Sequence, residues 1–256
     1  MNTEKKRLVI KIGSSTLTAE SDRISRGKIE DLAKEIITLR EEYDIVLVSS
    51  GAIAAANQLI NQHRWSKDVK SKQAKAAIGQ PILLQIYNEV FRDYDLRTAQ
   101  CLLTYDDFSR ENSRKNTFNT INELLNHSYI PIVNENDTIS VKEIVVGDND
   151  KLSAYVAELI KADKLVLVSD INGIYDKNPH IHNDAKLIQR VSNIAEVSEY
   201  IEERDSTLGT GGMTTKLEAA QVCFDNNIEM YILNGRTQSF ISDALNGKKE
   251  CTLFKK

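Results

Sequence analysis

The chain has 256 residues, enough to bury one large core in a single α/β domain. Hydrophobic residues at 41% and charged residues at 27% exclude a disordered chain, and a net charge of −4 argues against nucleic acid as a partner held by bulk charge. No apolar run approaches the ~20 residues of a membrane span, so no membrane partner is expected.

The elements follow in chain order. "MNTEKKRLVIKIG" starts basic, but its apolar run is too short for a signal peptide and passes straight into a strand pattern at 7–13. Ile29, Leu32, Ala33, Ile36 and Leu39 then recur at helical spacing. "DIVLVSS" (44–50) reads as the second strand and ends in the small-residue turn "SSGAIAAA". "NQHRW", with Trp65, reads as a surface loop whose interface role stays open. "SKQAKAAIGQPILLQIYNEVF" is amphipathic, and helix packing accounts for most of it. A third strand, "TAQCLLT" (98–104), precedes "DDFSRENSRKNTFNTINELL", where Asn116, Asn119 and Thr120 share one solvated helical face.

"YIPIVNE" (129–135) runs into an acidic, amide-rich corner, "VNENDT". A second such corner, Asp148-Asn149-Asp150, follows "EIVVG" and leads into a helical period of Leu152, Tyr155, Val156, Leu159 and Ile160. A helix N-cap explains one of its three polar residues. "KLVLVSD" (164–170) and "EMYILNG" (229–235) complete the strand set. Between them "LGTGGMTTK" sets a Gly/Thr-rich loop before a less regular helix of Leu217, Ala220, Val222 and Phe224. His180 and His182, beside Pro179, read as loop residues rather than metal ligands, and no metal site is predicted. Cys101, Cys223 and Cys251 are odd in number and widely spaced, so they read as reduced, mostly core thiols of a cytoplasmic protein.

Strands apolar at successive positions suit burial on both faces, as in a parallel sheet. Their alternation with helices predicts a three-layer α/β/α sandwich with a mainly parallel central sheet, one domain over 1–256. Ligands of such sheets collect beyond the carboxyl ends of the strands. There the sequence places Lys11 inside an apolar run, Gly13 with two serines, the Ser50-Gly51-Ala52 turn, Ser169-Asp170, and Lys216 after its Gly/Thr loop. A buried lysine is costly unless an anion meets it. Two anion-binding turns, two lysines and two acidic corners together favour chemistry between a phosphate donor and an amino-acid-like acceptor.

Familiar alternatives fail on detail. "GTGGMTTK" is no Walker A loop, since Lys216 follows threonine and no hydroxyl residue follows it. The first strand lacks G-x-G-x-x-G, "DNDKLSAYVAEL" lacks the EF-hand turn glycine, and the protein-kinase motif set is absent.

In "VIKIGSSTL", "VLVSSGAIAA", "SKQAKAAIGQ", "PIVNENDT", "VGDNDKLSA", "LVLVSDINGIY" and "LGTGGMTTKLEAA", in that order, the chain resembles the amino acid kinase family nearly end to end. Within it, the resemblance is to the branch that phosphorylates the γ-carboxylate of free L-glutamate. Ala56 stands where those relatives often have glycine, but the Ser50-Gly51-Ala52 turn is intact. Many of them carry a C-terminal PUA domain; here the resemblance implies a kinase domain without one.

The resemblance also implies roles. ATP, with Mg²⁺, would donate its γ-phosphoryl group in the first step of proline biosynthesis. Lys11, Lys216 and Asp150 would be catalytic, the lysines clamping the phosphates and Asp150 orienting the lysines. Gly13, Ser169, Asp170, Thr210, Gly211, Gly212, Met213, Thr214, Thr215 and Lys216 would line the nucleotide site. Ser50, Gly51, Ala52, Asn134, Asp137, Asp148 and Asn149 would hold L-glutamate, the amides donating and the aspartates accepting. Proline as feedback inhibitor, a dimer or tetramer, and channelling to glutamyl phosphate reductase are further implications. A non-catalytic sensor would be expected to lack Lys11, Lys216 or Asp150, and all three are present. A kinase of nucleoside monophosphates should show arginines around the acceptor phosphate, and the acidic corners speak against it.

Overall fold

The computed structural model describes residues 5–19, 21, 23–140, 149–179, 181–197, 212–236 and 239–256. The strands are β1 (Lys6–Ile12), β2 (Tyr43–Ser49), β3 (Arg97–Leu103), β4 (Tyr129–Glu135), β5 (Lys164–Ser169), β6 (Arg190–Val191), β7 (Glu229–Asn234) and β8 (Thr252–Phe254). Among the described residues they form one eight-stranded sheet in the order β3-β4-β2-β1-β5-β7-β8-β6. The six long strands are those read from apolar runs, and they pair in parallel. β8 pairs antiparallel with β7 and carries the short β6 on its far side. These two were not expected, because two- and three-residue strands leave no periodic signal.

The helices are α1 (Ser14–Thr18), α2 (Arg26–Leu39), α3 (Ala52–Asn57), α4 (Val69–Arg92), α5 (Asp106–Ser109), α6 (Glu111–Asn126), α7 (Asn149–Leu159), α8 (Met213–Asp225) and α9 (Phe240–Leu245). Two apolar clusters lie on opposite faces of the sheet. Leu8, Ile10 and Ile12 of β1 join Ile29, Leu32 and Ile36 of α2 and Leu83 and Tyr87 of α4. Val9 joins Leu152 and Val156 of α7 and Ala219, Ala220 and Cys223 of α8. Successive side chains of a strand point to opposite faces, so a sheet apolar at every position needs cover on both sides. The result is the three-layer sandwich.

Two local features place the site. Residue 79 packs α4 on α3 so closely that a Cβ there would lie 1.7 Å from the Ala52 carbonyl oxygen, so only glycine fits. Gly51, between β2 and α3, takes φ 106°, a conformation that costs an L side chain strain. The helix read from Leu217, Ala220, Val222 and Phe224 is present, but its buried stripe is Lys216, Ala219, Ala220, Cys223 and Phe224. Leu217 and Val222 are half-buried. Apolar periodicity discounts a lysine, and here the lysine belongs to the inward face.

Of the cysteines, Cys223 is buried while Cys101 and Cys251 are half-buried, and all three are free thiols. Asn116, Asn119 and Thr120 are exposed on α6. Trp65 is half-buried under the Lys75 ammonium, 5.9 Å from its ring centre. His182 is exposed, and His180 lies outside the described residues.

Candidate active site

Lys11 is the penultimate residue of β1, and strand alternation puts it on the Val9 face, beneath α7 and α8. Asp150 enters from the first turn of α7 and Lys216 from the first turns of α8. Asp150 Oδ1 lies 2.5 Å from Lys11 Nζ, and its Oδ2 lies 2.9 Å from Lys216 Nζ. The three residues are 8%, 1% and 9% exposed for Lys11, Asp150 and Lys216, so these charges sit largely out of bulk water. Burial alone would raise the Asp150 pKa, but the two ammoniums outweigh it and hold the carboxyl down at about 2. Two cations share one anion. These three side chains alone carry two positive charges and one negative, an arrangement suited to an incoming phosphoryl group at the carboxyl end of β1.

On one side of this cluster lies an amide network. Asn149, beside Asp150, donates from Nδ2 to Ser50 Oγ at 3.0 Å and to Asn134 Oδ1 at 2.9 Å. Asn134, near the end of β4, donates to Gln80 Oε1 at 2.8 Å and accepts from the Glu135 backbone N–H at 2.9 Å. Asp137 lies just beyond, lining a cavity of about 340 Å³ with Gln80, Glu135 and Thr138. Half-buried, Asp137 has no hydrogen-bond or ion-pair partner among the described residues, and burial pushes its carboxyl up to about 6. A carboxylate so placed suits a bound cation. Under the turn, Ser49 Oγ donates to the Ser50 carbonyl and meets the Tyr87 hydroxyl, both at 2.9 Å, which fixes the backbone that presents Ser50, Gly51 and Ala52.

On the other side, Ser169 and Asp170 line a second cavity of about 450 Å³ with Ser15, Thr16, Lys28 and Arg236. Ser169 Oγ donates to Asp170 Oδ1 at 3.1 Å. Lys28 Nζ donates to the carbonyls of Gly235 (3.2 Å) and Arg236 (2.9 Å), tying α2 to the loop after β7. A Cβ at residue 13 would sit 3.8 Å from Lys11 Nζ, ordinary van der Waals contact. Among the described residues no close contact requires glycine there. Gly212 precedes α8, and Met213, Thr214 and Thr215 form its first turn, Thr215 Oγ1 donating to the Gly212 carbonyl at 2.9 Å.

The structure thus brings Lys11, Asp150 and Lys216 into direct contact, with Ser50, Asn134 and Asn149 linked beside them and Asp137 lining the neighbouring cavity. Asp148, Thr210 and Gly211, also expected in the site, lie outside the described residues. Sequence reasoning did not single out Gln80, Tyr87 or Lys28. A signal for Gln80 existed. It stands on the stripe Ala76, Gln80, Leu83, Tyr87, whose members are all buried, and it is the one amide on that face. Among the described residues, no group of three His, Cys, Asp or Glu is placed to hold a metal ion.

The amino acid kinase family profile matches residues 6–234. The chain is 45% identical over 262 residues to the glutamate 5-kinase of Clostridium acetobutylicum, covering 99% of this chain and 98% of that protein. It is 44% identical to the enzyme of that name from Alkaliphilus metalliredigens, over 97% of this chain and 95% of the relative. For that of Bacillus anthracis identity is 42%, over 97% of this chain and 68% of the relative. The UMP kinase of Ureaplasma parvum superposes with a TM-score of 0.70 over 99% of this chain and 100% of that one, at 19% identity, a likeness of fold alone. Profile, relatives and the lysine–aspartate–lysine cluster at the carboxyl ends of the strands agree that this chain belongs to the amino acid kinase family.

Proposed function

We propose that the chain transfers the γ-phosphoryl group of ATP to the γ-carboxylate of L-glutamate, giving L-glutamyl 5-phosphate and ADP, the first step of proline biosynthesis from glutamate. The observation that carries this reading is the buried Lys11–Asp150–Lys216 cluster, set between an amide-lined corner and a hydroxyl-lined cavity. Both reactants are anions, and phosphoryl transfer is catalysed chiefly by positioning and charge stabilisation. Lys11 and Lys216 stabilise charge on the transferring group, while Asp150 holds both ammoniums at one place. The acceptor carboxylate is ionised at neutral pH, so no general base is required.

Mg²⁺ would travel with the ATP phosphates and neutralise part of their charge. The Lys11 and Lys216 ammoniums suit that anionic donor. Asp137, with no cation beside it among the described residues, suits the α-ammonium of a free amino acid. Two further properties belong to the same proposal: proline, which keeps the amino and carboxylate pattern, occupies the acceptor corner, and the chain works as a homo-oligomer.

An ADP-release assay with ATP and Mg²⁺ over L-glutamate, N-acetyl-L-glutamate, L-aspartate and UMP tests the reading. L-Glutamate should give the highest kcat/KM. The N-acetyl analogue loses the ammonium, and a site built around a charged hydrogen-bonding group rejects such an analogue by roughly 10⁴-fold. Aspartate is one methylene short and should place its carboxylate badly. Higher kcat/KM for N-acetylglutamate or UMP overturns the acceptor assignment.

A further inference from the structure

The amide network beneath the acceptor corner has a direction. The backbone N–H of Glu135 can only donate, so the atom of Asn134 that it meets at 2.9 Å is the oxygen. The Asn134 nitrogen therefore faces Gln80, whose Oε1 accepts at 2.8 Å. Asn149 spends both hydrogens of its Nδ2, one on Asn134 Oδ1 and one on Ser50 Oγ. Gln80, Asn134 and Asn149 are 9%, 3% and 7% exposed, so water cannot readily replace a lost partner. A turned amide would set nitrogen against nitrogen in a low dielectric.

Among the described residues, what remains available to a ligand follows by subtraction. Asn149 has only Oδ1 left, an acceptor. Ser50, which accepts from Asn149, keeps its hydroxyl hydrogen to donate. Asn134 has its oxygen taken twice and one N–H taken by Gln80. We propose that Gln80 is a positioning residue for the amino-acid acceptor: acting through Asn134, it holds Asn149 as an acceptor for the α-ammonium and Ser50 as a donor to a carboxylate. Asn134 then serves mainly to relay orientation. In this arrangement Asn149 accepts from the substrate through Oδ1. The proposal rests on the reading of the chain as a kinase of free L-glutamate.

The test compares L-glutamate with glutarate, which has both carboxylates and no ammonium, in the full chain with ATP and Mg²⁺. Gln80→Met fills a similar volume without the amide oxygen. It should raise KM for L-glutamate ~10-fold, leave kcat within ~3-fold, and lower the glutamate-over-glutarate preference in kcat/KM ~10-fold, the scale of one hydrogen bond to a charged group. KM for ATP should not move. Gln80→Glu keeps an oxygen toward Asn134 and should restore the preference. Where Gln80→Met does not fold, Gln80→Ala, well tolerated in a helix, is read in the same way. An unchanged preference, an equal loss on both substrates, or a Gln80→Glu variant as impaired as Gln80→Met overturns the proposal while the wild type still phosphorylates glutamate. A wild type inactive on glutamate overturns the acceptor assignment, and the proposal with it.

Discussion

Lys11 Nζ lies 2.5 Å from Asp150 Oδ1, although one residue lies near the end of the first strand and the other in the first turn of a helix in the second half of the chain. Asp150 also holds Lys216 at 2.9 Å through its other oxygen. Removing a buried ion-pair partner leaves an uncompensated charge, and which charge is left decides the consequence. Lys11→Ala or Lys216→Ala leaves Asp150 with the other lysine, so the fold should survive while kcat falls by ~10² or more, the scale of losing one electrostatic donor. Asp150→Asn removes the carboxylate that both buried ammoniums meet, and should cost about 3–5 kcal/mol as well as turnover. Urea unfolding beside steady-state kinetics separates the cases. A folded Lys216→Ala enzyme with near-normal kcat would remove that lysine from the mechanism.

Asp137 makes acceptor binding sensitive to mild acid. Burial raises its carboxyl to about 6 from the ordinary 3.8, so its charge is lost as pH falls through about 6. Since kcat/KM reports the free enzyme, that parameter for L-glutamate should fall below pH ~6. At saturating glutamate kcat should depend on pH less, because a bound ammonium favours the carboxylate. Asp137→Asn should lose the acid limb and lower kcat/KM ~10–100-fold at pH 8. Steady-state pH profiles of the two proteins decide it; an identical limb in the variant assigns the titration elsewhere.

The same residue carries a stability signature of opposite sign. Between its unfolded value near 3.8 and its folded value of about 6 the native state binds more protons, so ionising Asp137 costs stability as pH rises through that window. Asp137→Asn removes this cost. The variant should melt higher than wild type at pH 8 and no higher at pH 3.5, without ligands. Thermal melts at the two pH values check the difference, and a lower Tm at pH 8 contradicts it.

Proline should inhibit in competition with glutamate, because its amino and carboxylate groups need the same acceptors and donors. Raising L-glutamate should restore the rate fully. Inhibition that no glutamate concentration relieves requires a site away from Asn149 and Asp137.

Gly79→Ala tests the α3–α4 contact. The added Cβ would lie 1.7 Å from the Ala52 carbonyl and 2.7 Å from the Ala56 nitrogen, backbone atoms that cannot rotate away. α3 must move, and with it the Ser50–Ala52 turn. Overpacking of this kind costs about 1–3 kcal/mol. KM for glutamate should rise while ATP affinity, measured by calorimetry, holds. An unchanged Tm would show that the helices separate freely.

Five of the six long strands were legible because they are buried on both faces, which leaves an unbroken apolar run in the local chain, whereas the edge strand β3 is buried only at Leu103 and was legible from its apolar residues alone. A lysine inside such a run, and glycines and hydroxyl residues at the strand ends, marked where chemistry collects. The identities of Lys11, Asp150 and Lys216 as site residues could be named from the chain alone, with the family resemblance supplying their roles. Their mutual contact could not, because it depends on how α7 and α8 lie across β1. Gln80 escaped notice for the same reason: its helical period predicts a buried face but not that a buried amide waits opposite. The hydrogen-bond direction from Glu135 through Asn134 to Asn149 has no local signature at all, since asparagine offers a donor and an acceptor at once. Local periodicity determines which face of an element turns inward; only the packed structure decides which atom meets which, and so which end of each amide is left for a substrate.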